Sequence, residues 1–174
     1  LIFESQSPPT ATSASDSGPT PSSWTPRPGS WSPVRALRPG RDPGARLAHA
    51  HSQIVATPIV PPAITHEVEA ARRHHTATGV CLFCELVAQE RAADVRVVAD
   101  TTHFLALAPY ASRTPFETWL LPVTHSARFD EASAADLAGL AALLRQVLEQ
   151  VGRELERPAF NAVLHSAPFD EPGD

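Results

Sequence analysis

The segment His49-Ala50-His51-Ser52-Gln53 contains the residues of this chain that are best suited to chemistry. In an extended segment, positions i, i+2 and i+4 share one face, so two imidazoles and an amide would lie side by side. A neutral imidazole can attack phosphorus, a second can bind a metal, and an amide can hold a phosphoryl oxygen without titrating. A lone His-x-His pair is more often a coincidence of surface residues, so other motifs must decide its role.

A second group of potential ligands is the pair Cys81 and Cys84. A spacing of three is too short to close a loop and favours a metal site or a redox pair. The pair suits one half of a zinc knuckle, which His74 and His75 could complete, since the chain has no second Cys-x-x-Cys. The alternative is that both cysteines are buried apolar side chains between a helix and a strand. Ordinary surface or core roles are expected of the single histidines, His66, His103 and His125.

Composition excludes several classes of partner. The formal charge is -5 and the pI is near 5.9, which argues against a nucleic acid or an anionic membrane as partner. No run approaches the roughly 18 apolar residues that a membrane span needs, and no secretory signal is recognisable, so a cytoplasmic location is expected. Because the sequence begins at Leu1 rather than at a methionine, we expect it to be a piece of a longer chain.

The elements that must position these residues begin after Arg46. Residues 1–46 open with the apolar, strand-like Leu1-Ile2-Phe3 and continue as a Pro/Ser-rich tract without periodicity. The tract is predicted to be mostly disordered because it cannot bury enough apolar surface. Beyond it, apolar patterns predict an antiparallel sheet with a long helix on one face, an α+β fold. The predicted strands lie at 49–56, 96–99, 104–108, 117–121 and 161–165. The predicted helices are a shorter one over 65–75 and a long one that begins after the cap Ser133 and ends before Pro158.

Several separated motifs, in order, carry a resemblance over residues 35–172. They are His49-Ala50-His51-Ser52-Gln53-Ile54, Pro61, Glu67, Pro109-Tyr110, Pro115-Phe116-Glu117-Thr118, Leu121-Pro122, His125 and His165-Ser166-Ala167-Pro168-Phe169. With these motifs the sequence resembles the galactose-1-phosphate uridylyltransferases of the histidine-triad superfamily. The resemblance implies that His51 is the nucleophile, that His49 binds a metal, and that Gln53, with Ser52, binds the substrate phosphate.

The implied reaction is a double displacement. His51 would attack the α-phosphorus of UDP-glucose, form a uridylyl-imidazole and release sugar 1-phosphate; galactose 1-phosphate would then take the uridylyl group. Hydrolases of the superfamily have a titratable histidine at the position of Gln53. An amide there cannot protonate a leaving group, so transfer is favoured over hydrolysis. The resemblance also implies a homodimer in the full-length protein.

The resemblance further implies bound metal. Zinc is expected at His49, and zinc or iron at a second site whose ligands match Glu67 and His165. This chain matches only part of each ligand set. Tetrahedral zinc normally takes four ligands, or three ligands and a water, so both sets are incomplete here. Cys81 and Cys84 match a cysteine pair of shorter bacterial relatives and are candidate ligands as well.

The domain organisation predicted on this basis has three parts. Residues 1–46 are the Pro/Ser-rich tract, of which 7–36 are hypothesised to be mistranslated by compensating frameshifts. Residues 47–80 would end a first triad-like repeat, and residues 81–174 would form a truncated second one. Two alternative functions stay open: another nucleotidyltransferase or phosphorylase of the superfamily, and a non-catalytic metal-binding or dimerisation module.

Overall fold

The structure is a computed structural model that describes residues 59–155 and 160–167 together with three strands whose backbone is placed, at 2–5, 34–38 and 51–55. These residues form seven strands, which are β1 (Ile2–Ser5), β2 (Val34–Arg38), β3 (His51–Val55), β4 (Val97–Asp100), β5 (Phe104–Leu107), β6 (Thr118–Pro122) and β7 (Phe160–Leu164). They form one sheet in the order β3-β2-β7-β1-β6-β5-β4, and every neighbouring pair is antiparallel.

In the described part of the chain, three α-helices and a short 3-10 helix accompany the sheet. They are α1 (Pro62–Thr78), α2 (Leu82–Ala93), the 3-10 turn (Phe129–Glu131) and α3 (Ala134–Glu154). The cap of α3 is reciprocal, because the Ser133 side chain accepts from the Asp136 amide and the Asp136 side chain accepts from the Ser133 amide. None of the helices in the described part of the chain is long and apolar enough to cross a membrane.

Strand β5 is buried along its whole length because helices cover both faces of the sheet around it. On one face, Phe104 and Ala106 pack with Leu120 of β6 and with Leu143 and Val147 of α3. On the other face, the neighbouring positions Leu105 and Leu107 pack with Val87 of α2. These two apolar clusters hold the second half of the chain together.

The α+β prediction is confirmed, with corrections to individual elements. Helix α2 was not predicted, so the sheet is covered on two faces rather than by one long helix alone. Strand β1 contains the strand-like Ile2 and Phe3 and pairs with β6 and β7. Strand β2, in contrast, lies inside the tract predicted to be mostly disordered, where its apolar residues find partners in β3 and β7. The rest of that tract lies outside the described residues, and the domain boundaries and the frameshift hypothesis stay predictions.

The register of β3, β2 and β7 places three elements of the candidate site side by side. Gln53 pairs with Ala36, and Ala36 pairs with Val163 on its other side. Positions paired across neighbouring strands belong to the same face of a sheet, as do positions two apart along one strand. The positions of His51 and Gln53 therefore belong to the same face as that of Val163, two residues before His165.

Candidate functional site

The residues first singled out for chemistry lie on an edge strand. His51, Ser52 and Gln53 are the first three residues of β3, where His51 pairs with Arg38 and Ser52 with Leu37 of β2. The extended backbone required by the His-x-His-x-Gln interpretation is therefore present from His51 onward. His49 lies outside the described residues.

Glu67 and His165 form the best-defined pair of site residues. Oε2 of Glu67, on helix α1, lies 2.7 Å from Nδ1 of His165, the first residue after β7. The histidine side chain is 19% exposed and the carboxylate 36%, so the pair is partly shielded from water. A carboxylate bonded to one ring nitrogen fixes the tautomer and leaves the other nitrogen free to face a ligand or substrate.

A second cluster brings together Cys81, Cys84 and His125. Their sulfur and ring-nitrogen atoms all lie within 4.8 Å of one another, and Sγ of Cys84 is 3.2 Å from Nδ1 of His125. Cys81 is the N-cap residue of α2 and Cys84 lies in its first turn, whereas His125 lies in the loop after β6. Among the residues that the structure describes, this is the one group of three or more such side chains close enough to share a metal ion.

Cys81 and Cys84 are not joined in a disulfide and are partly accessible. Burial raises the pKa of the Cys84 thiol, and the hydrogen bond and charge of Cys81 raise it further. The Cys84 thiol therefore favours its protonated form in the absence of a cation. A divalent cation would reverse that preference, because thiolate is the form that binds metal.

Two expectations about histidines need correction. His125 was expected to have an ordinary surface or core role, but it lies in the cysteine cluster. His74 was a candidate to complete the cysteine site, yet its Nε2 bonds Oε2 of Glu85 at 2.6 Å, and His75, on exposed α1 surface, is also outside the cluster. Two features of the sequence point to a role for His125. It follows the strand-ending Pro122 by three residues, and it belongs to the motifs that carry the resemblance.

The two other single histidines have the ordinary roles that were expected. His66 is exposed on α1. Nδ1 of His103 lies 2.9 Å from Oδ1 of Asp136, so this ring ties the β4–β5 turn to the start of α3. The Ser133 hydroxyl, and after it His103, lowers the pKa of Asp136, which is the acid of the α3 capping box.

Known proteins with similar sequence and structure point to one family. Residues 67–174 match the family described as galactose-1-phosphate uridyl transferase, C-terminal domain. The chain is 33% identical over 133 residues to ADP-glucose phosphorylase of Arabidopsis thaliana, an alignment that covers 75% of this chain and 36% of that protein. It is 31% identical over 133 residues to galactose-1-phosphate uridylyltransferase of Thermotoga maritima, covering 76% of this chain and 41% of that protein.

Solved structures agree with the sequence matches. The crystal structure of the Arabidopsis thaliana ADP-glucose phosphorylase with bound ADP-glucose is similar with a TM-score of 0.72 at 28% identity, over 82% of this chain and 45% of that one. A solved uridylyltransferase gives a TM-score of 0.75 at 28% identity, over 82% and 45% respectively. The chain thus spans less than half the length of these relatives. With a family match over more than half of its residues, the chain belongs to the galactose-1-phosphate uridyl transferase family.

Proposed function

We propose that this chain is part of a nucleotidyltransferase that transfers the uridylyl group of UDP-glucose to a hexose 1-phosphate such as galactose 1-phosphate, with His51 as nucleophile. The observation that supports it most is the register of β3, β2 and β7. That register sets the positions of His51 and Gln53 on the sheet face that also bears Val163, two residues before His165. The proposed reactive positions therefore share a sheet face with the strand position two residues before His165, the histidine that is hydrogen-bonded to Glu67.

In the proposed reaction, an imidazole acts as the nucleophile and side chains that do not titrate bind the phosphate. The imidazole of His51 attacks the α-phosphorus, a nitrogen–phosphorus bond forms, and the bond to the β-phosphate oxygen breaks to release glucose 1-phosphate. Gln53, with Ser52, holds the phosphoryl oxygens without titrating. A phosphate oxygen of the second sugar phosphate then attacks phosphorus and returns the imidazole to its free state.

A second candidate reaction differs only in the nucleotide and the acceptor. The Arabidopsis thaliana relative that is 33% identical is an ADP-glucose phosphorylase. With ADP-glucose as donor, His51 would carry an adenylyl group, and inorganic phosphate would attack it to give ADP. Both reactions share the nucleophile and the amide, so the choice between them depends on the residues that bind the base and the acceptor.

We also propose that Cys81, Cys84 and His125 hold zinc, with His49 and the Glu67–His165 pair belonging to further metal sites, zinc at the first and zinc or iron at the second. Two thiolates and an imidazole are ligands that zinc prefers, and the three donor atoms already lie within 4.8 Å of one another. The fit is weaker for Glu67 and His165, which have no third such donor close by among the described residues. Bound zinc would supply structural cross-linking of α2 to the loop after β6. A cytoplasmic homodimer is proposed for the full-length protein.

The donors can be distinguished by trapping the intermediate. The chain is incubated with UDP-glucose or ADP-glucose, each labelled with ³²P in its α-phosphate, and the label retained on protein is counted. A phosphoramidate is expected to be labile in acid and stable in base. Labelling by UDP-glucose that galactose 1-phosphate discharges supports the uridylyltransferase. Labelling by ADP-glucose that inorganic phosphate discharges supports the phosphorylase instead.

The matched controls are two histidine variants. His51→Ala should take no label, whereas His66→Ala, which changes an exposed histidine of α1, should be labelled like the unchanged chain. If neither donor labels the metal-supplied protein, the chain lacks transferase activity, and a metal-binding or dimerisation module becomes the better account.

A further inference from the structure

The loop after β6 joins the cysteine cluster to the Glu67–His165 pair. His125, in this loop, is the histidine of the cluster. Two residues later, the carbonyl of Ala127 accepts a hydrogen bond from the amide of Ala167 at 2.9 Å. The amide of Phe129 donates to Oγ of Ser166 at 3.2 Å. Because Ser166 and Ala167 directly follow His165, both bonds hold the backbone next to that histidine.

The loop segment from His125 to Phe129 is short, and bonds hold the chain on both sides of His125. At the start of the loop, the Val123 amide donates to the His103 carbonyl at 2.9 Å. Further along, the Arg128 guanidinium bonds the Asp130 carboxylate at 2.7 Å. Only three residues lie between His125 and Phe129, and we expect so short a segment to pass on part of a shift of His125 to Phe129.

The backbone that carries His165 depends on this loop. Strand β7 ends at Leu164, whose partner in β2 is Arg35. His165 therefore lies just past the regular strand pairing. Beyond that point, the hydrogen bonds to Ala127 and Phe129 hold the backbone in place. Nδ1 of His165 lies 2.7 Å from Oε2 of Glu67.

We infer that Ser166 is a positioning residue, which together with the Ala127–Ala167 bond makes the placement of His165 depend on metal at Cys81, Cys84 and His125. A metal ion would draw His125 and the two sulfurs onto one centre and fix the loop. Fixing the loop strengthens the bonds of Phe129 and Ala167, and these hold His165 against Glu67. The inference rests on the metal site proposed above and on no particular donor or acceptor for the reaction.

Amide hydrogen exchange of the full chain, free of metal and then with one equivalent of Zn²⁺, tests this coupling. Zinc is expected to slow exchange of the Phe129 and Ala167 amides by about fivefold or more, the lower end of the range for coupled sites. The ring resonances of His165 should shift in the same titration. If the bonds form equally well with and without zinc, exchange at both amides stays the same and the inference is wrong.

Three variants separate positioning from a merely structural role. Ser166→Ala should still bind zinc, but the Phe129 amide and the His165 ring should lose most of their response. Ser166→Thr keeps a hydroxyl and should restore it. The control is Ser112→Ala, which removes a comparable bond from Oγ to the Pro109 carbonyl outside this loop and should respond like the unchanged chain. A Ser166→Ala variant that responds fully contradicts the assigned role.

Failure of the metal site and failure of the coupling give different results. Co²⁺ that produces no thiolate-to-metal absorption shows that the cluster takes no metal, which overturns both proposals. Co²⁺ that binds, with unchanged exchange at Phe129 and Ala167, overturns the coupling alone. Zinc that still slows exchange at the Phe129 and Ala167 amides in His125→Ala would show that the response does not come from the cluster, and it would also overturn the coupling.

Discussion

Oε2 of Glu67 and Nδ1 of His165 lie 2.7 Å apart although the two residues are 98 positions apart in the sequence. Helix α1 supplies the carboxylate and the end of β7 supplies the ring, so the bond joins the segment that follows β3 to the last described strand. The register of β3, β2 and β7 places the positions of His51 and Gln53 on the sheet face that also bears Val163, two residues before this histidine.

Changing Glu67 to glutamine should weaken the reaction more than the fold. The amide keeps the size of the side chain but loses the charge that holds the His165 ring, so we expect nucleotidyl transfer to fall by about 10- to 100-fold, the usual cost of removing a carboxylate that orients a histidine. The measurement is kcat for transfer together with the urea midpoint of unfolding. The matched control is Glu69→Gln, whose exposed side chain pairs with Arg73 at 3.7 Å on the same helix. Equal rates in the two variants would show that the pair has no role in the reaction.

The cysteine cluster should bind one divalent metal ion per chain. Addition of Co²⁺ is expected to give thiolate-to-metal absorption that saturates near one equivalent, because two sulfurs and an imidazole favour such a site. Bound metal should also stabilise the fold, by about 2.7 kcal/mol when free metal is 100 times its Kd. The second measurement is thermal unfolding with and without Zn²⁺.

The same titration in variants locates the metal. Cys84→Ser and His125→Ala should each weaken or abolish the absorption, whereas His66→Ala should leave it unchanged because that side chain is exposed and distant from the cluster in sequence. Absorption that survives both ligand substitutions would place the cobalt elsewhere.

Glu117 is a buried carboxylate that holds the loop before β6. It is 2% exposed and accepts hydrogen bonds from the Trp119 indole at 2.9 Å and from the Arg113 amide at 2.6 Å. Burial raises its pKa, but these bonds, the Arg113 charge and the Thr114 amide together lower it below the ordinary value of 4.5. A carboxyl whose pKa is lower in the folded chain stabilises the fold above its unfolded pKa, and that stability is lost as the pH falls through the folded pKa.

Glu117→Gln should therefore reduce stability at neutral pH and flatten its acid dependence. The amide group would set an N–H donor against donors already aimed at the site, at a cost of about 1 to 3 kcal/mol. Urea unfolding at pH 7 and at several values below 4.5 measures both effects. The control, Glu149→Gln, changes an exposed carboxylate that pairs with Arg145. An acid dependence as steep in Glu117→Gln as in the unchanged chain would contradict this role.

The sequence predicted elements well where local chemistry decides them. Ser133 begins α3 as expected, because a hydroxyl and the acid of Asp136 three residues later satisfy the first amides of the helix. The apolar run of β5 was also found. Helix α2 was missed because Cys81, its N-cap residue, makes no side-chain capping bond that would mark the start of a helix.

The candidate site was predicted in its parts but not in its grouping. Periodicity suggests that His51 and Gln53 share a face, yet it carries no information on which distant residues share that face. Similarly, no cysteine and no other histidine lies near His125 in the sequence. Only the packing of the loop after β6 against α2 brings His125 to Cys84. Contacts between residues that are far apart in the chain depend on tertiary structure, which local patterns do not encode.

The most direct test of the proposed reaction is to locate the nucleotidyl group on the protein. The full chain is mixed with UDP-glucose or ADP-glucose without acceptor, digested at alkaline pH, and its peptides are sequenced by tandem mass spectrometry. We expect one modified residue, His51, with no modification in His51→Ala and an unchanged yield in His66→Ala. A nucleotidyl group on any other residue, or none with either donor when metal is supplied, would contradict the assignment of His51 as the nucleophile.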